Sequence, residues 1–283
     1  QFTRMNNLVL RIVTALIGIA VILGSIFFNE WAFVIVFTGI CMATHFEYIK
    51  TITTNATKKP PFEIVYSLIT GLVFILIQNN NFFDSRIIQF LSGINLIFLS
   101  GFIFAELFYN REKPFEHIGL NVLGIFYIPV AFGAYISYAI DFDGTINIWF
   151  AVGLLFMVWF NDSFAYFAGR FFGKTKLFER ISPKKTWEGF WGGMFMTIAC
   201  GAMLSTLYDE LSLVQWMVWG IIVSLSGTLG DLAESLLKRS IHIKDSGSIL
   251  PGHGGFLDRF DGFIVVVPFS IAYLWVLNYF NLV

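Results

Sequence analysis

Residues 230–261 read GDLAESLLKRSIHIKDSGSILPGHGGFLDRFD and form a polar island between two apolar runs, residues 213–237 and 262–280. Carboxylates, basic side chains and glycines are interleaved in the island, whereas the whole chain is 57% hydrophobic and only 13% charged. A soluble domain carries about 25% charged residues. The 283-residue chain is therefore predicted to be an all-α, polytopic integral membrane protein.

Apolar runs long enough to cross a bilayer recur along the chain, since a membrane-spanning helix needs about 20 mostly apolar residues. Nine transmembrane helices are predicted, at residues 8–28, 31–49, 62–78, 87–109, 119–140, 146–168, 187–207, 213–237 and 262–280. We expect the first to be retained rather than removed as a signal peptide, because further spans follow at once. We expect residues 1–4, before Met5, to be a remnant of expression.

Polar residues divide the predicted spans into two groups. Helices 1–5, in residues 1–140, are apolar and carry little chemistry, whereas residues 141–283 hold helices 6–9 and two long polar loops. We therefore predict an N-terminal transmembrane region followed by a catalytic region.

The basic residues are distributed unevenly between the predicted loops. If the N-terminus is cytoplasmic and the loops alternate, all 18 Lys and Arg except Arg86 fall on the cytoplasmic side. Cytoplasmic loops carry such an excess. We therefore predict a multi-pass protein of the cell inner (cytoplasmic) membrane, with the polar loops 169–186 and 238–261 facing the cytoplasm. The net charge is −1, and we expect no nucleic-acid partner.

One polar face lies at the end of the run 213–237. Asp231, Glu234, Ser235 and Lys238 have helical spacing and therefore share one side of a helix. A carboxylate near the bilayer is costly unless it is paired or bound to a cation. A structural Asp–Lys pair between helices explains an isolated pair equally well.

A second acidic pair begins the next helix. Asp258 and Asp261 are three residues apart in LDRFDG, where they can act simply as favourable charges at a helix N-terminus. Together with Asp231, they also offer the oxygen ligands that Mg²⁺ prefers. No HExxH motif or Cys/His spacing indicates zinc, so Mg²⁺ is the predicted metal.

Basic residues and a glycine-rich turn connect the two acidic faces. The turn Pro-Gly-His-Gly-Gly at 251–255 can present backbone N–H groups to phosphate. A positively charged cytoplasmic loop explains the basic residues, but not their interleaving with carboxylates. The pattern indicates a phosphoryl-transfer site, where positioning and charge neutralisation carry the catalysis. The basic residues expected to contact anionic oxygens are Lys238, Arg239, Lys244 and Arg259.

The second loop, within residues 161–193, reads NDSFAYFAGRFFGKTKLFERISPKKTWEGFWGG. Its GRFFGKT segment is not a P-loop, because only three residues separate the glycine from Gly-Lys and no strand precedes it. SPKKTWEG presents Lys184 and Lys185 together. Asn161 and Asp162 end an apolar helix on the same side, where they can contact a ribose, a base or a metal-bound water.

The segment from Ser235 to Asp261 fits the pattern S-x-L-K-R-x4-K-D-x-G-x2-L-P-x-H-G-G-F-x-D-R-F-D. This pattern resembles, at every fixed position, the signature of the phosphatidate cytidylyltransferases, also called CDP-diacylglycerol synthases. SPKKTWEG and NDSFAYFAGR also resemble that family, as do the size, the multiple spans and the C-terminal place of the signature. The N-terminal third is similar only in hydropathy.

The resemblance implies a dimeric, all-helical membrane enzyme of phospholipid biosynthesis. Such an enzyme transfers CMP from CTP to phosphatidic acid, giving CDP-diacylglycerol and pyrophosphate. It uses Mg²⁺, and K⁺ is the candidate for a second cation. The resemblance implies that Asp231, Asp258 and Asp261 bind metal and that Ser182, Lys184 and Lys185 belong to the CTP site.

The spacing and the resemblance together define our candidate residues. The catalytic candidates are Asp231, Lys238, Asp258 and Asp261. The substrate-binding candidates are Asp162, Ser182, Lys184, Lys185, Glu234, Ser235, Arg239, Lys244, Asp245, His253, Gly254, Gly255 and Arg259.

Two other functions remain open from the sequence. Cytidylyl transfer to another lipid phosphate, such as an isoprenoid ether lipid, would use the same residue types. A polytopic transporter is the alternative from a different class, but transporters place polar groups near the bilayer midplane on broken helices. Here the polar residues gather in loops at one face.

Overall fold

A computed structural model of the chain describes residues 2–53, 61–109, 111–141, 143–241, 243, 246–247, 249 and 254–282. Within these residues the fold is almost entirely helical. The helices are α1 (Phe2–Phe28), α2 (Glu30–Thr53), α3 (Pro61–Gln78), α4 (Ser85–Tyr109), α5 (Pro114–Tyr127), α6 (Pro129–Ala139), α7 (Ile148–Phe172), α8 (Trp187–Leu204), α9 (Leu213–Ser240) and α10 (Leu257–Tyr279). One antiparallel hairpin, β1 (Lys176–Phe178) and β2 (Ser182–Thr186), lies between α7 and α8.

Most of these helices have the length and composition of membrane spans. Among the described residues, seven segments are long and apolar enough to cross a bilayer: α1, α2, α4, the α5–α6 pair, α7, α9 and α10. Large apolar side chains are exposed on them, as with Phe108 and Phe28, which suits contact with lipid rather than water. The predicted all-α polytopic class is confirmed. Nine spans and a cytoplasmic N-terminus stay predictions.

The chain folds as two compact units. The first contains Gln1–Ile146 and Asp245–Phe260, and the second contains Asn147–Lys244 and Asp261–Val283. The first boundary lies close to the division predicted after residue 140. The units differ from that division at the signature loop: residues 245–260, which follow α9 in the chain, belong to the unit that contains the N-terminal helices.

Aromatic packing and a proline shape the first unit. Phe33 and Phe37 of α2 pack against Tyr135 of α6, and all three are fully buried. Pro129 is the first residue of α6, where its missing N–H and fixed φ are tolerated. Only Ile128, which has a helical backbone, separates α5 from α6.

A buried ion cluster joins three segments of the first unit. Arg111 donates to Glu63 of α3 at 2.8 Å and to Glu106 of α4 at 2.6 Å. His117 of α5 lies 2.8 Å from Glu63, and Asn121 donates to Glu63 at 3.0 Å. Both carboxylates are buried. The cluster connects α3 and α4 to α5.

Replacing Arg111 by Met is expected to destabilise the protein by about 3–5 kcal/mol, because removal of one partner leaves buried charge without compensation. Thermal unfolding in detergent measures the change. The matched control is Lys113→Met, since Lys113 pairs with Glu116 where both side chains are more than half exposed. Such a surface pair contributes about 0–1 kcal/mol. Equal unfolding midpoints for the two variants would show that the cluster does not stabilise the fold.

The second unit has a tryptophan core and one very close helix pair. Trp216 and Trp219 of α9 are fully buried, and Trp219 stacks on Phe150 of α7. Helices α7 and α8 approach through small residues: a Cβ added to Gly189 would lie 2.8 Å from the carbonyl oxygen of Ala165. The two helices are closer than they could be with larger side chains between them. Their polar ends therefore lie side by side.

Candidate active site

The β hairpin holds the SPKK residues directly before α8. Lys176 pairs with Thr186 and Phe178 with Ser182. Thr186 caps α8 by accepting a hydrogen bond from the Gly189 backbone at 3.2 Å. The sequence predicted a loop here, because strands of three and five residues are too short to show an alternating pattern. The hairpin gives Lys184 and Lys185 a fixed position.

Two glycines bring α9 and α10 together within the second unit. A Cβ added to Gly230 would lie 2.7 Å from the Asp261 carbonyl oxygen, and one added to Gly262 would lie 3.1 Å from Asp231 Oδ1. Because neither position has space for a side chain, the backbones cross where Asp231 and Asp261 are located. The crossing therefore places a carboxylate from each helix in one neighbourhood.

This neighbourhood has an excess of negative charge. Asp261 interacts electrostatically with Asp231, Glu234 and Asp162, each of which adds repulsion. Its Oδ1 accepts a hydrogen bond from the Gly262 N–H at 2.8 Å. Among the described residues no salt bridge to Asp261 is present. Clustered carboxylates near a bilayer favour a bound cation.

One lysine supplies positive charge to the cluster. Lys185 Nζ lies 2.5 Å from Asp231 Oδ2, with both side chains about one-quarter exposed. The contact joins the hairpin to the end of α9. The hairpin before α8 and the C-terminal end of α9 are therefore at the same end of the second unit.

A cavity of about 430 Å³ opens beside this ion pair, within the size range of about 300–1,000 Å³ for small-molecule sites. Of the residues named from the sequence, Asn161, Asp162, Lys184, Lys185 and Asp231 line it. The structure therefore brings the NDS and SPKK segments together with the acidic end of α9.

Sequence reasoning missed several other lining residues. Tyr166 and Arg170 line the cavity, and Arg170 donates a hydrogen bond to the Tyr166 hydroxyl at 3.0 Å. Their positions four and eight residues after Asp162 put all three on one face of α7. That spacing could have identified Tyr166 and Arg170 as candidates. Thr228 lies one turn before Asp231 on α9, and no pattern in the sequence distinguished it.

Other candidates of the second unit do not line the cavity. Lys238 forms an ion pair with the buried Glu234 at 2.5 Å, one turn apart on α9. Arg239 is exposed and donates to the Ile243 carbonyl oxygen at 3.1 Å. Ser235 is half-buried on α9, and Ser182 is half-buried on β2. Their roles as substrate contacts stay predictions.

The remaining candidates that the structure describes belong to the first unit. The Asp258 carboxylate accepts hydrogen bonds from the Gly255 N–H at 3.0 Å and the Ser246 N–H at 3.3 Å. Gly254 adopts a φ of +87°, which glycine tolerates, and Arg259 is exposed. Lys244, Asp245 and His253 lie outside the described residues.

The comparison with known protein families decides how this site is interpreted. Residues 9–277 match the family described as "Cytidylyltransferase family". The chain belongs to the cytidylyltransferase family. The resemblance inferred from the signature is thereby confirmed, and the matched range includes every candidate residue of both units.

Several bacterial relatives in this family are named phosphatidate cytidylyltransferase. The chain is similar to the Bacillus subtilis (strain 168) protein at 31% identity over 261 residues, covering 92% of this chain and 94% of that protein. It is similar to the Staphylococcus haemolyticus (strain JCSC1435) protein at 36% identity, covering 72% and 76%. The Staphylococcus aureus (strain COL) protein is 37% identical, with coverage of 70% and 74%.

The donor atoms of this cytidylyltransferase-family chain fit a hard cation. Asp231 and Asp261 offer carboxylate oxygens at the helix crossing, and the charges of Glu234 and Asp162 reinforce them. Among the described residues no group of three or more His, Cys, Asp or Glu side chains is arranged to hold a metal ion. Mg²⁺ usually keeps several waters or substrate phosphate oxygens as ligands. A site with few protein ligands suits that ion.

Proposed function

We propose that the chain is a phosphatidate cytidylyltransferase, which transfers CMP from CTP to phosphatidic acid at the cytoplasmic face of the membrane. The observation that carries the proposal is the cavity in which Lys184, Lys185, Asp162 and Asp231 meet, in a chain of this family. A triphosphate needs cationic contacts, and the head group of a membrane lipid needs a site at the end of a transmembrane bundle. The cavity suits both substrates.

In the reaction, an anionic phosphate oxygen of phosphatidate attacks the α-phosphorus of CTP in line. The new P–O bond forms as the bond between the α-phosphorus and the bridging oxygen breaks, and pyrophosphate leaves with its electron pair. Phosphatidate is already ionised at neutral pH, so no strong general base is needed. The chief barrier is the approach of two polyanions.

The residues of the cavity lower this barrier by supplying positive charge. Lys185, held by Asp231 at 2.5 Å, lies ready beside a phosphate oxygen without reorganisation, which is the main requirement of electrostatic catalysis. Lys184 and Arg170 line the same cavity and add two further cations. Asp231 and Asp261 would hold Mg²⁺, which neutralises charge on the triphosphate when bound.

Turnover of defined substrates by the purified protein tests this proposal. We expect label from [α-³²P]CTP to enter a lipid product only with phosphatidate and Mg²⁺ present, with one pyrophosphate released per lipid formed. Diacylglycerol, which lacks the phosphate nucleophile, serves as the matched acceptor control. Faster turnover with an isoprenoid ether lipid phosphate would assign a different acceptor. Absence of pyrophosphate release with any lipid phosphate would overturn the proposal and favour a transporter.

A further inference from the structure

A buried carboxylate on α2 holds the signature loop of the first unit. Glu47 is 1% exposed, and its Oε2 accepts a hydrogen bond from the Leu257 N–H, the first residue of α10, at 3.0 Å. The backbone N–H groups of Phe256 and Ile249 also interact with this carboxylate. A buried charge is costly unless it is hydrogen-bonded. Free N–H groups at a helix start provide that compensation, and the helix dipole adds to it.

The loop is shaped to fit around Glu47. A Cβ added to Gly247 would collide with Glu47 Oε1, and one added to Gly255 would collide with Glu47 Oε2. The contact explains why glycine occupies these two positions of the signature: any side chain there would collide with the Glu47 carboxylate. Because Gly255 also donates its N–H to Asp258, Glu47 and Asp258 contact the same short segment.

A second contact comes from the last turn of α2. The Thr51 hydroxyl, buried, donates to the Ser246 carbonyl oxygen at 3.1 Å. The N–H of the same Ser246 donates to Asp258. Thus α2 contacts the loop at both of its described ends, near Ser246 and near Leu257. Helix α10 continues from Leu257 through Asp258 and Asp261.

We propose that Glu47, assisted by Thr51, is a positioning residue for the transfer reaction. It fixes the start of α10 and thereby the placement of Asp258, a catalytic candidate in the first turn of that helix. Glu47 touches neither substrate nor reacting atoms in this role. The inference rests on the proposed function for its catalytic consequence, whereas the anchoring of the loop rests on the contacts alone. A helix regarded from the sequence as chemically quiet thus holds a segment that carries a catalytic candidate.

The test uses four variants of the full-length protein. Glu47→Ala removes the acceptor, and Glu47→Gln keeps one oxygen that can accept from Leu257. Thr51→Val removes the hydroxyl that reaches the loop. Its matched control is Thr44→Val, because Thr44 is also buried on α2 and its hydroxyl donates to Ile40 of its own helix. The measurements are kcat, KM for CTP, the unfolding midpoint, and hydrogen exchange at Gly255 and Leu257.

We expect Glu47→Ala to lower kcat by about 10- to 100-fold, since small misplacements of reacting groups have effects of that size. KM for CTP should change much less. Glu47→Gln should restore part of kcat, Thr51→Val should lower it by a smaller factor, and Thr44→Val should leave it unchanged. Exchange at Gly255 and Leu257 should accelerate in Glu47→Ala, and more weakly in Thr51→Val.

Two outcomes would overturn the inference. The first is that Glu47→Ala changes neither kcat nor hydrogen exchange at Gly255 and Leu257. The second is that Thr51→Val and Thr44→Val lower kcat equally. If Glu47→Ala fails to fold, Glu47→Gln and Thr51→Val decide the matter with the same readouts. If the unaltered protein shows no turnover with any lipid phosphate, the proposed function fails. The exchange data still decide in that case whether Glu47 anchors the loop.

Discussion

Asp261→Asn is expected to lower kcat for CDP-diacylglycerol formation by about 10²–10³-fold, the loss found when one group that stabilises transition-state charge is removed. It should also raise the unfolding midpoint in the absence of divalent cations. Asp261 is repelled by Asp231, Glu234 and Asp162, and asparagine keeps the volume while removing one of these charges. A structural residue would behave in the opposite way, because its replacement would destabilise the fold.

The dependence of stability on Mg²⁺ completes this prediction. A ligand that binds only the folded state raises stability in proportion to RT ln(1 + [L]/Kd). Mg²⁺ should therefore raise the unfolding midpoint of the unaltered protein and have little effect on Asp261→Asn. The control is Asp209→Asn, an exposed carboxylate in the turn between α8 and α9. Normal turnover by Asp261→Asn would exclude Asp261 from the metal site.

Lys185→Met is expected to lower kcat/KM for CTP by about 10²–10³-fold with little loss of stability. The side chains of Lys185 and Asp231 are about one-quarter exposed, so water partly screens the pair and its loss should cost less than the roughly 3–5 kcal/mol lost when a buried pair is broken. The loss of activity should therefore far exceed the loss of stability. Steady-state kinetics and thermal unfolding of the same preparations measure both quantities.

A lysine in the same hairpin provides the control for Lys185. Lys176 is exposed on β1 and does not line the cavity, so Lys176→Met should retain normal kinetics. The structural alternative considered from the sequence was an Asp–Lys pair between helices; the Lys185–Asp231 contact would be its counterpart between the hairpin strand β2 and α9. If that alternative holds, Lys185→Met will lower the unfolding midpoint and will lower activity only because fewer molecules are folded. The molecules that remain folded will have a normal kcat/KM.

The parts of the site that follow from helical spacing could be predicted from the sequence. Asp231 and Asp261 were identified because each lies at the polar end of an apolar run, and the second unit does bring them together. The reason they meet was not visible, since Gly230 and Gly262 show their role only when the two helices cross. Lys185 and Asp231 were each identified, but the ion pair between them was not predicted.

Contacts between distant parts of the chain limited the prediction elsewhere. Glu47 and Leu257 are 210 residues apart, and no periodicity in the sequence relates α2 to the signature loop. The N-terminal helices therefore looked inactive. Lys238 was interpreted as a phosphate contact because it is one of the basic residues between the two acidic faces. Its ion pair with Glu234, one turn earlier on the same face of α9, was not predicted, and its role as a phosphate contact stays a prediction.

The position of a divalent cation in crystals grown with CTP and Mn²⁺ tests the central claim most directly. Anomalous scattering from Mn²⁺ locates the ion independently of the protein atoms. We predict the ion between the carboxylates of Asp231 and Asp261, with the triphosphate in the cavity and an oxygen within hydrogen-bond distance of Lys185 Nζ. An ion and a nucleotide bound together at a place that contacts none of these three residues would contradict the account.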